Sequence, residues 1–73
     1  MISYKPLFDT MKRKNISEYR LNKEGISRGT IYTIKNNKGI TTLTINKLCQ
    51  ILNCSVSDII EYRDDDEEEG EIK

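Results

Sequence analysis

SEYRLNKEGISRGTIYTIKNNK, residues 17–38, reads as helix, tight turn, helix, and the rest of the chain is organised around it. Ser17 suits an N-cap, because its side-chain oxygen can accept from an otherwise unbonded backbone N–H, and Leu21 is the one apolar anchor of the segment it opens. Gly25 breaks that segment, since glycine takes positive φ without steric cost, and Ile26 follows as a plug for the turn. Ser27 restarts the chain as a second N-cap, with Ile31 and Ile34 about one turn apart on one face. The remaining positions, Arg28, Gly29, Thr30, Tyr32, Thr33, Lys35 and Asn36, are polar or small except for the tyrosine ring. A helix with two apolar anchors and an outer face of Arg, Thr, Tyr and Asn is equipped to hydrogen-bond outward, and the base edges and phosphates of duplex DNA are the natural target.

The flanking segments supply a core. Pro6 suits a first helical turn, and Tyr4, Leu7, Phe8 and Met11 follow at helical spacing, predicting a helix from about 4 to 14 that ends in Lys12, Arg13, Lys14 and stops at Asn15. After the central pair, Asn36-Asn37-Lys38-Gly39 favours a turn and Ile40 tucks back toward the core. Thr41 or Thr42 caps a fourth helix in which Ile45, Leu48, Cys49 and Leu52 recur at i, i+3, i+4 and i+7. Ser55-Val56-Ser57-Asp58 is a capping box with Asp in place of Glu or Gln, opening a short fifth helix whose buried face is Val56, Ile59 and Ile60 and which ends near Tyr62. No segment alternates with period two, so strands are not expected. The expected fold is all-α: five short helices, the first, fourth and fifth clamping the central pair.

The formal charge of zero conceals a division. Residues 1–63 carry eleven Lys or Arg against five Asp or Glu, a net of +6, and residues 64–73 carry seven acids and one lysine, a net of −6. The sequence therefore divides into a basic domain over 1–63 and an acidic tail over 64–73 that lacks apolar periodicity and is expected to be disordered. A tail of that charge can compete with DNA for the basic domain, an effect that fades as the Debye length shortens from about 30 Å at 0.01 M salt to about 8 Å at physiological ionic strength. Truncation after Arg63 is then expected to tighten binding to a random duplex at low salt, the gap closing as salt rises. Equal affinities of the two proteins across the salt series would leave the tail a solubility segment only.

Seventy-three residues make one small domain with no room for a cleft between domains. No apolar run approaches the roughly 20 residues that span a bilayer and the N-terminus lacks signal-peptide order, so a cytoplasmic protein without membrane partners is expected. The chain has no histidine, no carboxylate pair within the folded part and no nucleophile beside a base, which argues against an enzyme and leaves no small-molecule substrate to assign. Cys49 and Cys54 read as buried reduced thiols ahead of a metal or disulfide role, because two thiols alone do not complete a tetrahedral zinc site, and no cofactor is expected.

The order of elements, the turn Gly25-Ile26-Ser27 and the run TTLTINKLCQILNCSVSDIIEY from Thr41 to Tyr62 together resemble the Cro/C1-type helix-turn-helix family, in particular its small stand-alone bacterial and phage regulators. The resemblance covers residues from about 4 to 62 and implies a five-helix, lambda-repressor-like DNA-binding domain. It also implies a docking mode in which the helix from about 27 to 36 enters the major groove. Carried over residue by residue, it makes Arg28, Gly29 and Thr33 base-edge readers, with Ser27, Thr30 and Tyr32 at the base or sugar margin. Ser17, Asn36 and Lys38 fall on phosphate-contacting positions.

Gly29 costs about 1 kcal/mol against alanine inside a helix; either the absent side chain lets the helix sit deep in the groove, or a helix start tolerates it. For Tyr32 the other reading is a solvated ring packed beside Lys35 or Lys38. The sequence departs from the family in two places. Arg20-Leu21 stand where an apolar and a small residue usually precede the turn, so either the second helix is one residue short or bulky Leu21 fills the small residue's site; and Glu18 stands where the family often has a phosphate-contacting glutamine. The function implied is a sequence-specific double-stranded DNA-binding regulator, a repressor by type. The alternative is a phage or mobile-element interaction module, an antirepressor or inhibitor that uses the same exposed helix or the acidic tail on a protein. Family members often bind as homodimers on two-fold sites, although no extra C-terminal helix supplies a dedicated dimer surface here.

Overall fold

The structure, a computed structural model, describes residues 1–64. The expectation of disorder over the acidic tail lies, beyond Asp64, outside the described residues. The element order is β1 (Ile2–Ser3), α1 (Lys5–Lys14), α2 (Glu18–Lys23), α3 (Arg28–Lys35), α4 (Thr42–Leu52), a 3-10 turn (Val56–Asp58) and β2 (Glu61–Tyr62).

Local chemistry explains where α2, α3 and α4 begin. Ser17, Ser27 and Thr41, all in extended backbone, accept through their side chains from the N–H groups of Arg20, Thr30 and Thr44. Between the two candidate caps of α4, the structure selects Thr41. The helix ends are equally uniform. Each of the four α-helices among the described residues closes with a backbone bond reaching back five residues: Ile16 N–H to Met11 at 2.8 Å, Ile26 to Leu21 at 3.0 Å, Lys38 to Thr33 at 2.9 Å and Cys54 to Cys49 at 3.1 Å. The residue before each donor has positive φ: Asn15, Asn37 and Asn53 at 53–59°, and Gly25 at 118°.

Asparagine tolerates the left-handed region near 57°, but 118° lies outside it, which is why the turn of the central pair needs glycine. An alanine Cβ at Gly25 would meet only the flexible end of Lys47, so the cost of Gly25→Ala is conformational. We expect it to destabilise by about 1–2 kcal/mol in urea unfolding; a midpoint equal to wild type would mean that the turn relaxes to negative φ without loss.

The core joins Tyr4, Leu7 and Met11 of the N-terminal segment, Leu21, Ile26 and Ile34 of the central unit, Leu48 and Leu52 of α4, and Ile59. Leu21 is buried while Arg20 faces out to the Glu24 carboxylate at 3.0 Å, so the bulky residue does fill the interior place beside the turn. Asn22 braces that turn by donating to the Ile26 carbonyl at 3.0 Å.

Four expectations are corrected. The fifth helix is a single 3-10 turn of three residues, although its Asp58 capping box is present. With no second turn to build a stripe, Val56 stays 53% exposed and Ile59 alone is fully buried there. On α1 the buried arc takes in Thr10 rather than Phe8: the Thr10 hydroxyl donates to the Asp58 carbonyl at 2.9 Å, which satisfies it in the interior, and Phe8 at the edge of the arc is 39% exposed. Cys49 and Cys54 are half-buried rather than sealed.

The last correction is a two-stranded antiparallel sheet, Ile2 opposite Tyr62 and Ser3 opposite Glu61. The N-terminal amine donates to the Arg63 carbonyl at 2.6 Å and the Arg63 N–H returns to Met1 at 2.7 Å. Two-residue strands are too short to show alternation. Tyr4, buried where β1 hands over to α1, donates its hydroxyl to the Lys38 carbonyl at 2.6 Å and so holds the end of α3 against the N-terminal segment. Burial raises its pKa above the usual tyrosine value, which keeps that donor protonated.

Candidate nucleic-acid interface

α3 buries Ile34 and half-buries Ile31, leaving the opposite side in solvent. With 3.6 residues per turn, the outward side chains form two rows, Arg28-Tyr32-Asn36 and Gly29-Thr33. The predicted residues on the helix are thus brought onto one continuous surface, with Ser27 and Thr30 at its margin. Ser17 stands at the start of α2 and Lys38 just past the end of α3.

The hydrogen bonds decide what each group has left to offer. Ser27 accepts from the Thr30 N–H at 3.1 Å and donates its own proton to the Thr30 hydroxyl oxygen at 3.0 Å, so it is spent on the cap, while the Thr30 proton remains available. Thr33 donates to the Gly29 carbonyl at 2.9 Å, leaving its oxygen as an acceptor and its methyl as an apolar contact. Asn36 uses one amide hydrogen on the Tyr32 carbonyl at 2.8 Å and keeps the other. Ser17 accepts at 3.1 Å from Arg20 N–H and retains its hydroxyl proton. At Gly29 an added Cβ would find only the Ser27 oxygen, 3.9 Å away, so the fold itself does not call for glycine there.

The cations separate in the same way. Lys35 reaches the Glu18 carboxylate at 3.3 Å and ties α3 to the start of α2; Arg20 is held by Glu24 at 3.0 Å and Lys5 faces Asp9 at 3.8 Å. Arg28 and Lys38 have no such partner among the described residues and are exposed. Arg28 and Tyr32 line one side of a cleft of about 370 Å³ between α2 and α3, with Tyr19 and the Glu18–Lys35 pair on its other walls. Tyr32 is 69% exposed, and its ring stands in this cleft with Lys35.

Two residues escaped sequence reasoning. Tyr19 is exposed opposite Tyr32, with Lys23 over its ring at 5.8 Å. Lys47, on α4, lies beside Ser27 and Thr30 in a recess of about 240 Å³ and donates to the Gly25 carbonyl at 3.4 Å. Its separation from the turn, 22 positions in the chain, hides it from any local pattern.

The architecture has a counterpart among solved structures. The crystal structure of transcriptional regulator VanUg, form II, is similar with a TM-score of 0.76 and 26% identity, over 82% of this chain and 81% of that one. No curated protein matches the chain. Among the described residues no helix is long and apolar enough to cross a membrane. The profile of the Cro/C1-type HTH DNA-binding domain matches residues 7–65, covering both N-capped helices, the Gly25 turn and the α4 core, so this chain belongs to the Cro/C1-type helix-turn-helix DNA-binding family.

Proposed function

We propose that the protein is a sequence-specific transcriptional regulator of repressor type that inserts α3 into the major groove of duplex DNA. The observation that carries this reading is Arg28: it begins the exposed face of α3, next to a cap that fixes the helix start, and no acid of the chain neutralises it among the described residues. A guanidinium so placed can donate two parallel bonds to guanine O6 and N7.

In this reading Thr33 accepts from a base amine or packs on a thymine methyl, Gly29 lets the backbone approach the base edges, and Thr30 and Tyr32 work at the margin. Ser27 contributes by holding the helix start. Ser17, Asn36 and Lys38 each keep a donor for phosphate, and Lys47 adds a cation near the turn. Glu18, engaged by Lys35, loses part of the repulsion it would exert on the backbone. Residues 1–63 form the binding domain, and the acidic run from 64 to 73 tempers its charge.

Selection from a pool of randomised duplexes tests this. The expected result is one enriched motif, bound with an affinity that falls as salt rises; a two-fold motif would add a homodimer to the reading. An unenriched pool with no salt-dependent binding would overturn it in favour of a protein-interaction module.

A further inference from the structure

The four α-helices among the described residues end in the same turn; α3 places Thr33 and Lys38, both polar, at the two positions the turn brings together, and α4 places two thiols there. In this motif the residue that accepts the five-residue bond and the residue that donates it commonly touch through their side chains. After α1 these are Met11 and Ile16, and after α2 they are Leu21 and Ile26, apolar pairs in or against the core. After α4 they are Cys49 and Cys54.

The Cys54 N–H donates to the Cys49 carbonyl at 3.1 Å, which brings the two residues together across the turn. Leu21 and Ile26 are sealed from solvent, whereas both cysteines are half-buried and line one open groove of about 580 Å³ with Ile45, Val56 and Ile60. Small oxidants can therefore reach them. No group of three or more His, Cys, Asp or Glu among the described residues could hold a metal, so the pair has no further ligands for a tetrahedral ion.

We propose that Cys49 and Cys54 are a reversible modification site, a dithiol that a hydroperoxide converts to an intrachain disulfide joining the last turns of α4 to the segment leading into Asp58. One thiolate attacks a peroxide oxygen: an S–O bond forms, the O–O bond breaks, and with hydrogen peroxide the departing hydroxide takes up the thiol's proton and leaves as water. The second thiolate then attacks the resulting sulfenic sulfur, forming S–S and breaking S–O, and a second water leaves. Two thiols lose two hydrogens and two electrons, and the peroxide is reduced to two waters. The turn holds residue 54 against residue 49 through their backbone bond, so bridging needs little further loss of chain freedom. Burial, first, then Cys49 and the Asp58 carboxylate raise the pKa of the Cys54 thiol, with Lys14 opposing, which lowers the thiolate fraction of Cys54.

The test uses the full chain, reduced, freed of reductant and treated at high dilution with excess hydrogen peroxide. Thiol titration is expected to fall from two per chain to none, with intact mass lower by two hydrogen atoms and unchanged migration on a non-reducing gel; dithiothreitol should restore both thiols. Cys49→Ser and Cys54→Ser, each left with one sulfur, should gain oxygen under the same treatment instead of losing hydrogen. The proposal is overturned if the wild-type chain keeps both thiols, gains oxygen as the single variants do, or crosslinks chain to chain.

Discussion

Leu48→Ala is expected to destabilise the protein by about 2–5 kcal/mol, because it removes a fully buried side chain where α4 meets the rest of the core. A domain of this size is held by a net stability at the low end of about 5–15 kcal/mol, so much of the Leu48→Ala population should be unfolded at moderate temperature. Denaturant unfolding of the variant against wild type reads the loss directly. Two further truncations place it on a scale. Cys49→Ala should cost less, since Cys49 is half-buried and less volume is lost, and Val56→Ala should lie within about 0.5 kcal/mol of wild type, since that side chain is 53% exposed. A Leu48→Ala melting curve within a degree or two of wild type would mean that α4 presents a different face to the core.

Arg28→Ala is expected to cost about 1–3 kcal/mol at the preferred duplex and to relax selectivity at one base pair, because it removes the guanidinium that has no acidic partner among the described residues. Lys38→Ala makes the contrast. Its exposed ammonium serves a phosphate in the proposed reading, so its loss should weaken all sequences alike and flatten the salt slope by about one unit. Both variants should keep the wild-type melting behaviour, as neither side chain is in the core. Measuring each on the selected and a random duplex across a salt series separates the roles, and equal losses for Arg28→Ala on both duplexes would remove Arg28 from base reading.

The helix boundaries were legible in the sequence because they depend on chemistry within a few residues. Ser17, Ser27 and Thr41 each satisfy a donor three positions on, and Asn15 and Gly25 each supply the positive φ that ends a helix. The core of α4 was legible through Leu48 and Leu52, which recur at helical spacing. The outer face of α3 was legible for the complementary reason: Ile31 and Ile34 fix its inner side, which leaves Arg28, Tyr32 and Thr33 facing away.

Tertiary structure alone decided whatever depends on partners far along the chain. The β1–β2 pair sets Ile2 opposite Tyr62, and the Met1 amine bonds the Arg63 carbonyl 62 positions away, through strands too short to carry a pattern. Thr10 displaces Phe8 from the interior because a carbonyl 48 positions away, at Asp58, accepts its proton. Lys35 is paired by Glu18, 17 positions upstream, whereas Arg28 has no acidic partner among the described residues and faces outward. Local bonds choose where helices start and stop, since a cap is satisfied or unsatisfied within one turn; which cation is paired among the described residues, which threonine is buried and how residues 1–3 meet residues 61–63 depend on packing that brings distant groups within hydrogen-bond reach.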